Sequence, residues 1–255
     1  MTADHVQENR RYWNAQAHLW VTRGEAAWAS RAPYWGIWET PETALNLLPE
    51  SLSGARAVEL GCGTGYVSRW MEVRGATVVG VDVSRDQLQT ACRLAREYQS
   101  SVEFLLGNAE LAPLPNQCAD FVISEYGAAI WCDPYVWIPE ASRLLRVGGQ
   151  LVFLGNHPLA MLSIGEEGDL VTHHLNRSYF GLHRLDWTKL EVDPGGVEFN
   201  LPFSQWLRLF KTNGFRLDEY HEIRAPVDQG PAQFGVPWGW ARDYPAEQAF
   251  VLTKV

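Results

Sequence analysis

The sequence is short of positive charge, paired cysteines and long apolar runs, and each shortage removes a class of function. Lys plus Arg number 21 against 30 for Asp plus Glu, so the 255-residue chain carries a net charge of 21 − 30 = −9. A phosphate-backbone partner would need a basic stripe, and no dense run of Lys or Arg supplies one. The four cysteines, Cys62, Cys92, Cys118 and Cys132, form no CxxC pair and match no zinc spacing. They read as reduced thiols, buried or idle. No apolar stretch approaches the ~18 residues of a membrane span. The opening "MTADHVQENRRYW" lacks the apolar core of a signal peptide. A soluble, cytoplasmic protein with no membrane or nucleic-acid partner is the expectation.

Tryptophan, by contrast, is plentiful. There are 12, and Trp13, Trp20, Trp28, Trp35 and Trp38 all precede residue 40. Such residues pack a core or line an aromatic pocket. Their crowding predicts an N-terminal segment folded over something.

The middle of the chain alternates strand and helix. Ala57–Leu60 reads as a strand, followed by a glycine turn and a helix with Val67, Trp70 and Met71 at i, i+3, i+4. Thr77–Val81 is a second strand, ending at Asp82. Ser84 and Gln87 form a capping box, and Leu88, Ala91, Cys92 and Ala95 give the next helix its apolar face. Val102–Leu106 and Phe121–Ser124 are further strands. Asp133 caps a helix over Pro134–Val147, with Trp137 packed inward, Gly148-Gly149 ends it, and Gln150–Gly155 is a fifth strand. Residues 156–200 show no clean period and carry His157, His173, His174 and His183. Ser204 caps a short helix through Phe210, ended by Gly214, and Phe215–Ile223 and Ala249–Val255 are the last strands. Alternation of this kind predicts a parallel sheet covered on both faces. The expected organisation is one domain over 1–255. It has an N-terminal helical lid (1–50), a cofactor-binding core (51–156), an insertion (157–200), and a C-terminal helix and strands (201–255) with a loop at 224–246.

The turn itself reads "VELGCGTGYVSRW". A dinucleotide fingerprint G-x-G-x-x-G would need a third glycine where Tyr66 or Ser68 stands, so that fingerprint fails. Asp82, at the end of the second strand, can accept both ribose hydroxyls and would repel a 2′-phosphate. In "GNAE", after the third strand, Asn108 offers an acceptor and a donor to a base edge. All these segments fall at the carboxyl ends of adjacent strands, where doubly wound sheets bind ligands.

Together, "VELGCGTG", "VDVS", "GNAE…LP" and "ADFVISEYG" followed by "EASRLLRVGGQLVFLGN" resemble the class I S-adenosylmethionine-dependent methyltransferases, closely over about residues 55–156. The resemblance implies a Rossmann-like, doubly wound α/β fold, its seven-stranded sheet ending in an antiparallel strand, with N-terminal helical and inserted lid segments. It implies S-adenosylmethionine as cofactor and S-adenosylhomocysteine as product. It implies Glu59, Gly61 and Gly63 at the methionine moiety, and Asp82 on the ribose. Val83 and Ala109 would lie against the adenine, Asn108 on its amino group, and Ser124 and Glu125 near the amino acid end. Gln87 and Glu110 fall in the same segments. Tyr12 and Trp13 match an N-terminal "YW" whose helix closes over the cofactor. Asn108 departs from the family's more frequent Asp.

Methyl transfer chiefly requires nucleophile, methyl and sulfur in one line. A general base is needed only when the acceptor is protonated. His157, two residues past the fifth strand, is the candidate base, with a structural His as the competing reading. The other histidines lack a metal-site spacing, and no metal is expected. Tyr126 and Trp131 are expected in the acceptor wall, with His157, Tyr179 and His183 as further acceptor contacts. The aromatic decorations suggest a small apolar or aromatic acceptor. The alternatives are a cyclase or decarboxylase that keeps the cofactor, or a non-enzymatic protein that binds it.

Overall fold

The computed structural model describes residues 4–165, 167–168, 170–190, 195–226 and 229–255. Seven strands form its central sheet: β1 (Arg56–Leu60), β2 (Thr77–Asp82), β3 (Glu103–Leu106), β4 (Ala119–Glu125), β5 (Leu145–Asn156), β6 (Phe215–Ile223) and β7 (Glu247–Lys254). Their order across the sheet is β6-β7-β5-β4-β1-β2-β3. Four neighbouring pairs are parallel, and β7 runs antiparallel to both β5 and β6. The order reverses between β1 and β4, so the crevice for a ligand opens at the carboxyl ends of those strands.

Each central strand is buried on both faces, as a parallel sheet requires. In β4, Phe121 and Ile123 pack into one apolar layer and Val122 into the other; in β5, Val152 and Leu154 oppose Leu151 and Phe153. The first layer takes in helix α4 (Tyr66–Val73) through Val67, Trp70 and Met71, together with Trp35 and Trp38. The second takes in α7 (Pro134–Leu144) and α9 (Phe203–Thr212) through Trp137, Ile138, Trp206 and Phe210.

The N-terminal segment is helical: α1 (Asp4–Gln16), a 3-10 turn (Ala17–Trp20) and α2 (Val21–Ala29). A two-residue antiparallel pairing, Tyr34–Trp35 with Thr40–Pro41, precedes the short α3 (Glu42–Leu45). The region 156–200 contains α8 (Pro158–Ser163) and an antiparallel ribbon, Arg184–Asp186 with Val197–Phe199. The remaining helices are α5 (Arg85–Glu97), α6 (Gly127–Trp131) and α10 (Trp238–Asp243).

Several local expectations are corrected. α7 stops at Leu144, three residues before Val147, and Gly148-Gly149 lie inside β5. There the β4–β5 register shifts between Ala119 and Phe121, and Lys254 Nζ donates to the Ser142 and Leu145 carbonyls at 2.6 and 2.8 Å. The glycines therefore serve a strand irregularity, and a lysine from β7 satisfies the helix end. Ser204 is not a cap, because α9 starts one residue earlier, after Pro202. On α5, Leu88, Ala91 and Ala95 are buried as expected and Leu94 joins them, but Cys92 is exposed. The capping box is half formed. Ser84 Oγ accepts from Gln87 N at 3.2 Å, but Ser84 N donates to Asp82 Oδ1, leaving the Gln87 side chain free of the cap.

Candidate active site

At the carboxyl edge of the sheet lies a cavity of about 1660 Å³, its open mouth included. Its first half is built by strand ends. Gly61, Cys62 and Gly63 follow β1, Asp82 and Val83 end β2, Asn108 and Ala109 follow β3, and Glu125 and Tyr126 end β4.

The two cavity glycines of the turn differ in purpose. A Cβ on Gly61 would stand 2.5 Å from Gly127 Cα, so this glycine lets β1 touch the start of α6. A Cβ on Gly63 would meet nothing nearer than Gln87 Oε1 at 4.0 Å, and its φ is +50°. At Gly63 the backbone is open towards a ligand. Its N–H donates to Asp82 Oδ2 at 2.7 Å, and Ser84 N donates to Oδ1 at 2.7 Å. Burial pushes the Asp82 carboxyl up, and these backbone donors oppose the shift. Gln87 Oε1 and Trp13 Nε1 are buried in this wall without a hydrogen-bond partner. An orphaned acceptor and an orphaned donor beside an open glycine are what a polar ligand would satisfy. Arg23 is the one basic side chain among the described residues that line the cavity; its charge acts on Glu125 at the end of β4, and the adjoining Gly24 packs on Thr64 of the glycine turn. A single guanidinium, set among Glu59, Asp82 and Glu125, makes a poor clamp for a pyrophosphate.

The second half comes from the decorations: Trp20 and Arg23 from the N-terminal helices, Met161 and Ile164 at α8, Trp187 and Glu198 at the ribbon, and Phe234 and Val236. Trp20 and Phe234 stack with ring centroids 5.8 Å apart, and the Arg23 guanidinium lies over both rings at 5.7 and 5.6 Å. Glu125 accepts from Gly36 N at 3.1 Å and from the Tyr66 hydroxyl. Burial raises the Glu125 carboxyl, and Tyr66, Arg23 and Gly36 N oppose it.

Of the residues expected at the cofactor, Trp13, Glu59, Gly61, Gly63, Asp82, Val83, Gln87, Asn108, Ala109 and Glu125 line the cavity. Glu59 is spoken for: its carboxylate accepts from Ser68 N and Ser68 Oγ, holding α4, and burial raises its pKa to about 8. Tyr12, Glu110 and Ser124 do not line it. α1 presents Val6, Asn9 and Trp13 on one face, and Tyr12 is one position off that face, packed against Trp13 and Trp131. Glu110 bonds His5 Nε2 at 2.6 Å and Asp133 N at 2.8 Å, tying α1 to the start of α7. Ser124 points to the opposite side of β4 from Glu125, its Oγ donating to Leu60 O and accepting from Ala129 N.

Among the expected acceptor contacts, Tyr126 and Trp131 line the cavity, and His157, Tyr179 and His183 do not. His157 caps α8. Its Nδ1 accepts from Leu159 N at 3.1 Å, which leaves Nε2 protonated and 3.3 Å from Glu222 on β6. Burial pushes its pKa down, with Glu222 opposing. Tyr179 uses its hydroxyl to accept from Phe203 N, and His183 bonds Asp133 at 3.0 Å. The sequence reading passed over Asn9, Trp20, Arg23, Tyr66, Trp187, Glu198 and Phe234. Only Trp20 and Arg23, at i and i+3 in a tryptophan-rich segment, carried a local signal.

A model of the methyltransferase domain family matches residues 58–153. Over 117 residues the chain is 35% identical to the malonyl-[acyl-carrier protein] O-methyltransferase of Serratia marcescens, covering 46% of this chain and 43% of that protein. The chain thus spans less than half the length of the first curated relatives it matches. Among solved structures, an S-adenosylmethionine-dependent methyltransferase from Mesorhizobium loti superposes with a TM-score of 0.67 at 22% identity, over 86% of this chain and all of that one. Geranyl diphosphate C-methyltransferase from Streptomyces coelicolor, solved with S-adenosyl-L-homocysteine, covers all of this chain and 99% of its own at a TM-score of 0.65 and 15% identity.

Proposed function

We propose that this chain, which belongs to the class I S-adenosylmethionine-dependent methyltransferases, is an enzyme that methylates a small apolar or aromatic acceptor. One observation carries the reading. The open Gly63 backbone stands between the Asp82 carboxylate and the unpaired Gln87 Oε1, in a cavity half whose described lining sets Glu59, Asp82 and Glu125 against the single cation Arg23. That half suits a cationic nucleoside cofactor and not a pyrophosphate. Asp82 would accept the ribose hydroxyls, Asn108 would read the base edge, and Val83 and Ala109 would pack against its faces. Gln87 Oε1 and Trp13 Nε1 would gain the partners they lack. When bound, the cofactor supplies a methyl group activated by positive sulfur.

The chain's own residues then position and shield. Glu125, fixed by Gly36 N and Tyr66, places negative charge at the end of β4. Trp20, Phe234, Trp187, Met161 and Val236 would enclose the acceptor and exclude water. Segments 1–50, 157–200 and 224–246 form the acceptor chamber on this reading, and 51–156 the cofactor half. No described helix is long and apolar enough to cross a membrane. All four cysteines are free, which suits a reducing cytoplasm.

Calorimetry with S-adenosylhomocysteine and with NAD tests the assignment. The homocysteine nucleoside is expected to bind and NAD not. Asp82→Ala should weaken binding by roughly 1.5–3 kcal/mol, the range for hydrogen bonds to a charged group. NAD binding more tightly than S-adenosylhomocysteine would overturn the proposal.

A further inference from the structure

Among the described residues, four acidic side chains line the cavity: Glu59, Asp82, Glu125 and Glu198. Three of them already accept two hydrogen bonds each and stand at the cofactor half. Glu59 accepts two bonds from Ser68, Asp82 accepts from Gly63 N and Ser84 N, and Glu125 accepts from Gly36 N and Tyr66. Glu198 differs. It is 4% exposed, and its carboxylate accepts one long hydrogen bond, from Trp187 Nε1 at 3.3 Å.

Glu198 sits at the centre of the ribbon strand Val197–Phe199, "VEF". Alternation along a strand sends Val197 and Phe199 one way and Glu198 the other. Phe199 packs on the rings of His5 and His183, while Glu198 and Trp187 face the cavity. The strand is bolted in place from α1. Asn9 Nδ2 donates to Val197 O at 2.8 Å and to Trp131 O at 2.9 Å, and Val197 N donates to Asn9 Oδ1 at 2.8 Å. A lone carboxylate is thus held at a fixed place in the apolar half. Desolvation raises its pKa to about 7, with Trp187 opposing. Tyr126, also in the cavity wall, is a titratable group that feels its charge, and the Arg177 guanidinium lies 5.5 Å from the Trp187 ring.

We infer that Glu198 is the catalytic base of the transfer, and that the acceptor is a neutral hydroxyl compound on an apolar or aromatic frame. The inference rests on the methyl-transfer reading above. The acceptor's O–H bond breaks towards a Glu198 carboxylate oxygen as its oxygen bonds the methyl carbon, and the sulfur of S-adenosylmethionine keeps the electron pair of the C–S bond it loses. Glu198 ends as the carboxylic acid and returns the proton to solvent. An acceptor that arrives already ionised would have no use for this group and would be repelled by it.

The test uses the full chain, with phenol and the already ionised 4-nitrophenolate as acceptors and radiolabelled methyl transfer as the readout. Glu198→Gln keeps an acceptor oxygen for Trp187 Nε1, and S-adenosylhomocysteine affinity by calorimetry should stay within about twofold. Transfer to phenol should fall by about 10²–10⁴, the usual contribution of a general base, while transfer to 4-nitrophenolate changes by less than about tenfold. Difference infrared spectroscopy of the S-adenosylhomocysteine complex adds a readout independent of turnover. A carboxyl band that titrates near pH 7, below the bands of Glu59 and Glu247 near pH 8, should be missing in Glu198→Gln. Equal losses on both phenols, no transfer to either by the unmutated chain, or no such band would overturn the role of Glu198. Absence of S-adenosylhomocysteine binding to the unmutated chain would instead overturn the methyl-transfer reading beneath it.

Discussion

Glu247 is fully buried, and its Oε1 accepts from Ile37 N at 2.9 Å and from the Tyr126 hydroxyl at 2.8 Å, whereas its Oε2 has no partner. A buried carboxylate with one bare oxygen prefers to carry a proton, and burial raises this group to about 8, against an ordinary value of 4.5. Between those two values the folded chain binds the proton and the unfolded chain does not. The stabilisation from Glu247 is therefore complete below about pH 4.5 and lost as pH rises through about 8. Glu247→Gln keeps an oxygen for Ile37 N and Tyr126 and cannot ionise. The variant should match the unmutated chain in Tm near pH 4.5 and exceed it by roughly 10–20 °C near pH 9, from about 5 kcal/mol at this chain length. Calorimetric melts at the two pH values check this; equal Tm differences at both would show that Glu247 is not the group that titrates.

The Trp20–Phe234 stack joins two segments far apart in sequence, the N-terminal helices and the strap at 229–246, in the cavity wall. Phe234 holds a left-handed φ of +45°, costly for an aromatic residue, in a tight turn where Gln233 and Val236 exchange backbone hydrogen bonds. The ring contacts with Trp20 and Arg23 offset that cost. Removing the ring in Phe234→Ala forfeits about 0.5–1.5 kcal/mol of stacking and cation–π attraction. S-adenosylhomocysteine should then leave about 2–10 times faster in a stopped-flow measurement of tryptophan fluorescence, and an unchanged off-rate would show that the stack does not restrain the bound ligand. The two halves of the cavity also differ in how far the sequence announced them. Asp82, Gly63, Asn108 and Glu125 follow strands whose apolar runs are plain, so strand ends alone put them on one rim. Glu198 and Phe234 sit in segments without hydrophobic period, and their place depends on tertiary contacts such as Asn9 with Val197. His157 was misplaced for a related reason. Proximity to a strand end in sequence does not say which side a cap turns its ring, and this one turns towards Glu222.

At the scale of the whole molecule, α1 is both wall and brace. Its Val6, Asn9 and Trp13 face the cavity, while His5 bonds the buried Glu110 and Asn9 secures the ribbon strand. A lid and a structural element are therefore not alternatives for this segment. The sheet does not depend on α1, since all seven strands pair among themselves and the apolar layers are filled by Trp35, Trp70, Trp137 and Trp206. Deleting residues 1–16 should leave the far-ultraviolet circular dichroism of the α/β core in place. It should also leave Glu110 and the Val197 backbone without their buried partners. Two such losses, at about 1–3 kcal/mol each, predict a Tm lower by roughly 5–15 °C. Trp13 leaves with the helix, and the strand that carries Glu198 loses its Asn9 brace. S-adenosylhomocysteine affinity should fall at least about tenfold, and methyl transfer should be lost altogether, because alignment depends on both. A truncated chain that folds, binds with full affinity and turns over normally would remove α1 from the active site and from the brace at once.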